Sequence, residues 1–186
     1  MTRVLPLMLL LLSVLAGPSM ATESTQQTAQ QEVAQQLRDY LLNAARTGDA
    51  LIINEFIQAG YDLNTQNEKG YTALILAAYN GQAIAVEQLL KAGANPCTED
   101  VRGNTALMGA IFKGELRIAK RLMQAECSAN QANHSGQTPA MYAALFQRKE
   151  ILEQLRAHGA DMSAQDAMGN SVENLLKGEF SQVPQR

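Results

Sequence analysis

Residues 67–99 read NEKGYTALILAAYNGQAIAVEQLLKAGANPCTE. Asn67 followed three positions later by Gly70 is turn chemistry, with glycine supplying the positive φ that a tight turn needs. Thr72 is a helix N-cap residue, its hydroxyl placed to accept from the first unpaired amides of a helix. The apolar run Ala73–Ala78 follows, and its small alanines let neighbouring helices approach closely. Gly81 ends that helix. A second amphipathic run, Ile84-Ala85-Val86 and Leu89-Leu90, stops at Gly93. The stretch therefore encodes a turn, a short helix, a second turn and a second helix. One such unit cannot bury its own apolar face, so it needs copies stacked against it.

The copies are present. Gly70, Gly103, Gly136 and Gly169 stand 33 residues apart. Two positions after each come Thr72, Thr105, Thr138 and Ser171. Three positions before each come Asn67, Asp100, Asn133 and Asp166. A second phase agrees: Gly48, Gly81 and Gly114 share the spacing, as do Gly60 and Gly93, with Gly159 two periods further on. Gln147 and Glu126 stand where these two series call for glycine.

On these residues the chain resembles the ankyrin repeat family. The resemblance is carried by Gly70-Tyr-Thr-Ala-Leu, Ala77-Ala78, Gly81, Leu89-Leu90-Lys-Ala-Gly93-Ala94-Asn95, Gly136-Gln-Thr-Pro139 and His158-Gly-Ala-Asp161. It covers roughly residues 36–178. It implies an all-α solenoid of helix-turn-helix units with short β-hairpin-like turns. Full repeats are expected at 67–99, 100–132 and 133–165. Residues 36–66 lack the turn signature and read as an N-terminal capping repeat. Residues 166–180 supply one helix, from about Ser171 to Lys177, as a partial C-terminal cap, and 181–186 read as a loose tail.

Outside the repeats, Arg3, the apolar run Val4–Ala16, the break at Gly17-Pro18 and the small residues Ser19 and Ala21 have the layout of a secretory signal peptide. The apolar run is shorter than the ~20 residues that a membrane-spanning helix needs. Cleavage is expected after Ala21. Pro18 follows Leu15-Ala16-Gly17 where a lipoprotein box requires cysteine, so no lipid attachment through such a box is expected. Residues 22–35 form a Gln/Thr-rich leader, read as flexible, with a helical start from about Thr28 open because Val33, Leu37, Tyr40 and Leu41 fall at helical spacing.

The 186 residues hold 46% apolar and 18% charged side chains with a net charge of −3. That balance provides no basic face for nucleic acid. The two histidines, His134 at a hairpin tip and His158 at the end of a second helix, fall on different faces, so no shared metal is expected. The glycines punctuate repeats and form no phosphate loop after a strand. No nucleophile stands with a base and an orienting group. The chain is thus expected to be no enzyme and to use no cofactor. Cys97 replaces an asparagine near the end of its repeat and Cys127 sits in the helix-to-loop corner of the next. Since 97 + 33 is 130, the two are not at equivalent positions, and stacked repeats lie ~10 Å apart. Two small packing thiols are the preferred reading, with a disulfide as the alternative.

The resemblance implies a protein partner bound by hairpin tips and the concave face of the first helices. At the tips lie Tyr71, Arg102, Asn104, His134 and Gln137, among others. At the groove-facing helix ends lie Tyr79 and Asn80, Phe112 and Lys113, Leu145 and Phe146. Three successive repeats place a large apolar side chain there, a ladder Tyr79–Phe112–Leu145/Phe146, and aligned exposed aromatics suggest an interface hot spot. The expected function is protein binding by a monomer in the bacterial periplasm, with no nucleic acid and no membrane as partner after cleavage. One reading is an accessory binder that supports or protects a periplasmic enzyme. Some exported bacterial ankyrin proteins that this chain resembles are associated with catalase and oxidative stress. The alternative is an inhibitor or immunity protein for a toxin or hydrolase, with an enzyme more remote.

Overall fold

The computed structural model describes residues 20–180 apart from Glu126. The expected signal peptide, save its last two residues, and the expected tail lie outside the described residues. The chain divides into two units, Met1–Gln36 and Leu37–Arg186. In the first, the described residues are helical, and from Gln26 onward their side chains are exposed. The helix α1 (Met20–Thr47) begins earlier than the expected start at Thr28. The leader is therefore helical where a flexible segment was the simplest expectation. The physical reason is composition: between Met20 and Thr47 there is no glycine or proline, and Ala, Gln, Glu, Leu and Arg are good helix formers.

The second unit is built from α2 (Ala50–Gln58), α3 (Ala73–Tyr79), α4 (Ala83–Lys91), α5 (Ala106–Lys113), α6 (Leu116–Met123), α7 (Pro139–Leu145), α8 (Lys149–Ala157) and α9 (Val172–Lys177). Among the described residues there is no β-strand, only an isolated bridge between Gln165 and Ser171. The first helices α3, α5, α7 and α9 stack in order, and the second helices α2, α4, α6 and α8 stack behind them. The architecture is the all-α solenoid expected from the 33-residue period.

Each repeat starts from the same local chemistry. The hydroxyls of Thr72, Thr105, Thr138 and Ser171 accept from the amides of Ile75, Met108, Met141 and Asn174. In the preceding turn, Asn67, Asp100, Asn133 and Asp166 each use Oδ1 to accept two backbone amides, two and four residues on. Gly70 shows why glycine closes this turn. Its φ is +73°, and a Cβ there would stand 2.7 Å from the amide nitrogen of Val101 in the next repeat. Successive turns are joined at that point, with Val101 N–H donating to Lys69 O, His134 N–H to Arg102 O and Ala167 N–H to Ser135 O.

The core is continuous through the stack. Leu74, Leu89, Met108, Ile111, Met141, Ile151 and Leu155 are fully buried, and the alanine pairs 77–78 and 143–144 lie at zero exposure between helices. Leu107, beside them on α5, is only half-buried. It lines a cavity of about 100 Å³ with Leu122, Cys127 and Leu155, and Met108 takes the buried position.

Cys97 and Cys127 are joined by a disulfide, with Cα atoms 5.5 Å apart. This corrects the preference for two packing thiols. The loops after the second helices cross obliquely, so a residue meets one 29 to 31 positions later. Asn95 N–H donates to Asn64 Oδ1, Asp161 N–H to Asn130 Oδ1, and Asn130 Nδ2 to Gly159 O. A separation of 30 residues falls within that range.

Candidate protein-binding face

The ends of α3, α5 and α7 bring together an aromatic line. Tyr79 and Phe112 are 40% and 42% exposed, which separates them from the core aromatics. Their rings stack, with centroids 6.0 Å apart and planes 13° from parallel. Phe112 meets Phe146 edge-on at 4.9 Å. Lys113 places Nζ 5.1 Å above the Tyr79 ring, a cation–π contact on the solvent side. Tyr79 leans over Gly109, its ring 3.7 Å from where a Cβ would sit, an ordinary contact distance.

Strict period counting places Leu145 in line with Tyr79 and Phe112. The structure corrects this: Leu145 packs against the buried cluster, and Phe146 continues the line. At the end of α7, Phe146 is the C-cap and Gln147 takes the left-handed conformation, φ 56°, that glycine holds in the other repeats. Gln147 is held there by its amide donating to Ala144 O and Leu176 O.

Phe146 also contacts Tyr142, at 6.0 Å between centroids. Tyr142 links the aromatic line to the turns. Its hydroxyl donates to Asn104 Oδ1 at 2.9 Å and accepts from Asn133 Nδ2 at 3.3 Å. Asn133 Nδ2 also donates to Asn104 Oδ1 and Gln137 Oε1, and Asn104 Nδ2 donates to the Asp100 carboxylate. Burial pushes the Tyr142 phenol above its ordinary value. The Asn133 hydrogen bond and the Arg102 charge pull it down, and the Asp100 charge adds to the rise. Tyr142 was missed by sequence reading. The signal was there: it occupies the position of Gly109 and Leu76 one and two periods back, and a phenol in an apolar helix run needs a polar partner.

The expected binding residues sort into two groups. Tyr79, Asn80, Arg102, Phe112, Lys113 and His134 are exposed. Asn80 also caps its own helix, with Nδ2 donating to Leu76 O. Tyr71 is half-buried against the core, a correction to its placement as a free tip side chain, because the chain enters the helix directly after it. Asn104 and Gln137 are half-buried and spend their amides in the Tyr142 network, so they brace the face. His134 lies at a turn tip, and His158 sits at the C-terminal end of α8 with Nδ1 against Gln154 O. Among the described residues, no group of three or more His, Cys, Asp or Glu could hold a metal ion. Among them, too, no helix is long and apolar enough to cross a membrane.

No curated protein matches the chain. The family model for ankyrin repeats (3 copies) matches residues 41–133 and 85–166. Those matches span more than half of the chain and the same helices, capped turns and left-handed glycines described above, so the protein belongs to the ankyrin repeat family.

Proposed function

We propose that this chain, a member of a family of protein–protein interaction modules, is a non-catalytic, exported binder that holds another protein on the face formed by its first helices and turns, in support or protection of a periplasmic client. The observation that carries the reading is the aromatic line Tyr79–Phe112–Phe146, exposed at Tyr79 and Phe112 and half-buried at Phe146. Stacked, partly exposed aromatics flanked by Lys113 and Asn80 have the make-up of an interface anchor with a polar rim. Tyr142, held by Asn104 and Asn133, packs against Phe146 at one end of the line, and such bracing reduces the entropy lost on binding. Export is supported by the layout of residues 1–21 and by the disulfide, since such bonds persist in oxidising compartments. Catalase enters as a client only through the family resemblance.

The test is a pull-down from periplasmic extract with the chain from Thr22, run beside Tyr79→Ala/Phe112→Ala and read by mass spectrometry. The reading expects one dominant protein on the unaltered chain and its loss from the variant. The same proteins on both baits would sink it.

A further inference from the structure

The residue that opens each second helix lies on the end of the preceding repeat. Gln82, Glu115 and Arg148 are the N-caps of α4, α6 and α8, one period apart, and none of them bonds its own helix through its side chain. Each side chain instead lies over the left-handed glycine one repeat back: Gln82 over Gly48, Glu115 over Gly81 and Arg148 over Gly114. That glycine follows the carboxyl end of a first helix. There the last carbonyls lack intrahelical partners and the aligned peptide dipoles leave negative charge.

At two of the three ends the side chain supplies the donor that such an end needs. Gln82 Nε2 donates to Arg46 O at 3.1 Å, and Arg148 Nε donates to Ile111 O at 3.5 Å. At the end of α3 the same place holds a carboxylate. Glu115 Oε1 and Oε2 stand 2.9 and 3.1 Å from where a Cβ on Gly81 would be, and a carboxylate only accepts. The Tyr79 carbonyl, the counterpart of Arg46 O, thus meets no donor from this position. Among the described residues, the Glu115 carboxylate makes no hydrogen bond or ion pair. The nearby cation Lys113 is turned to the Tyr79 ring instead. Glu115 is half-buried, so its carboxylate is within reach of solvent, and the exposed rings of Tyr79 and Phe112 stand in the last turns of α3 and α5 at the same end.

We infer that Glu115 and the carboxyl end of α3 form a seat for a cationic side chain of the bound protein, an arginine or lysine next to the apolar group that covers Tyr79 and Phe112. The inference rests on the reading of this face as the partner-binding one and adds the chemistry that the face selects. Arg148 offers the match within the molecule: its guanidinium lies on the end of α5 in the position that Glu115 leaves to an outside donor. A guanidinium can donate to a carboxylate through two N–H groups and keep others for a carbonyl. A partner without a cation there would cover the carboxylate and leave it unpaired, so neutral and acidic segments are disfavoured. For the isolated fold, an acceptor at this position is less stabilising than a donor, a trade of stability for binding.

Two measurements test it. In thermal unfolding of the full chain, Glu115→Gln should raise the midpoint by about 2–4 °C, the scale of one added hydrogen bond in a chain of this size. An unchanged or lowered midpoint would mean that the carboxylate is already satisfied in the fold, and would overturn the inference. In amide NMR titrations the probes are acetyl-Gly-Phe-Arg-Phe-Gly-amide and the same peptide with glutamine in place of arginine. The arginine peptide should shift residues 79–81 and 115 and bind about tenfold or more tightly than the glutamine peptide, the scale of a hydrogen bond to a charged group. On Glu115→Gln the two peptides should bind alike. On Tyr79→Ala/Phe112→Ala both should weaken while the preference for arginine remains. Equal affinities on the unaltered chain, or a preference that survives Glu115→Gln, would overturn the seat and leave the aromatic face standing. Binding that ignores the loss of both rings would overturn the reading of the face, and the inference with it. Calcium chloride at matched ionic strength should leave residues 79–81 and 115 unmoved. Shifts equal to those of the arginine peptide would make the place a metal site and overturn the inference.

Discussion

At the residue scale, single positions carry repeat-wide consequences because each turn touches the next. Gly70 combines a left-handed φ with a neighbour's backbone 2.7 Å from the site of a Cβ, whereas Gly93 has φ +89° and open space around it. Gly93→Ala should cost ~1 kcal/mol, the strain of the left-handed region alone. Gly70→Ala should cost at least ~2 kcal/mol, since strain and a backbone clash combine. Equal losses in chemical denaturation would show that the turn-to-turn contact is not tight. Tyr142 offers a second check. Its raised phenol value means that the neutral form is favoured in the fold. The stability this contributes is present below the unfolded value near 10 and is lost as pH rises through the higher folded value. In an ultraviolet titration of the five tyrosines, Tyr142→Phe should remove a late-titrating phenol and lower stability by ~1 kcal/mol, the scale of one net hydrogen bond.

At the element scale, helices α3, α5 and α7 present two opposite sides. On the packed side, Met108 is at zero exposure and Leu107 is half-buried at a cavity. Met108→Ala should cost ~2–5 kcal/mol, and Leu107→Ala should stay below ~2 kcal/mol because part of its surface already meets solvent. The reverse order in thermal unfolding would place the helix a residue out of register. On the open side, Tyr79→Ala/Phe112→Ala removes a stack at the surface. Its stability cost should be about 0.5–1.5 kcal/mol, the worth of an aromatic pair. A loss near the ~3–5 kcal/mol of core aromatic truncation would make the line part of the core and remove it as a binding surface.

At the scale of the whole molecule, a stack of repeats is held by nearest-neighbour interfaces. The disulfide ties two of them across a separation of 30 residues. By constraining the unfolded chain it should stabilise the fold by ~3 kcal/mol. Cys97→Ser/Cys127→Ser should lower the unfolding midpoint accordingly, and an unchanged midpoint would mean that the bond constrains nothing the stack does not already hold. The charged pairs between second helices, Arg121 with Glu87 and Lys120 with Glu150, are solvent-accessible and should add little beyond this.

By itself the sequence determined the period, the capped turns, the helix pairs and the buried alanines. These rest on local chemistry: Asn67 and its counterparts bind amides two and four residues away, and Thr72 and its counterparts cap the helix they precede. It also pointed to Tyr79 and Phe112, since a repeat makes any large apolar residue at an exposed phase visible. What only the tertiary structure decided lies between repeats. Phe146 continues the aromatic line in place of Leu145, which packs against the buried cluster. Tyr142 joined Asn104 and Asn133 across two repeats, a contact that no local pattern encodes. The cysteines met because the loops cross obliquely, so residues 30 apart become neighbours in a chain whose sequence repeats every 33. Hydrogen-bonding propensities act over a few residues, and the offset of one layer on the next is set by how whole helices pack.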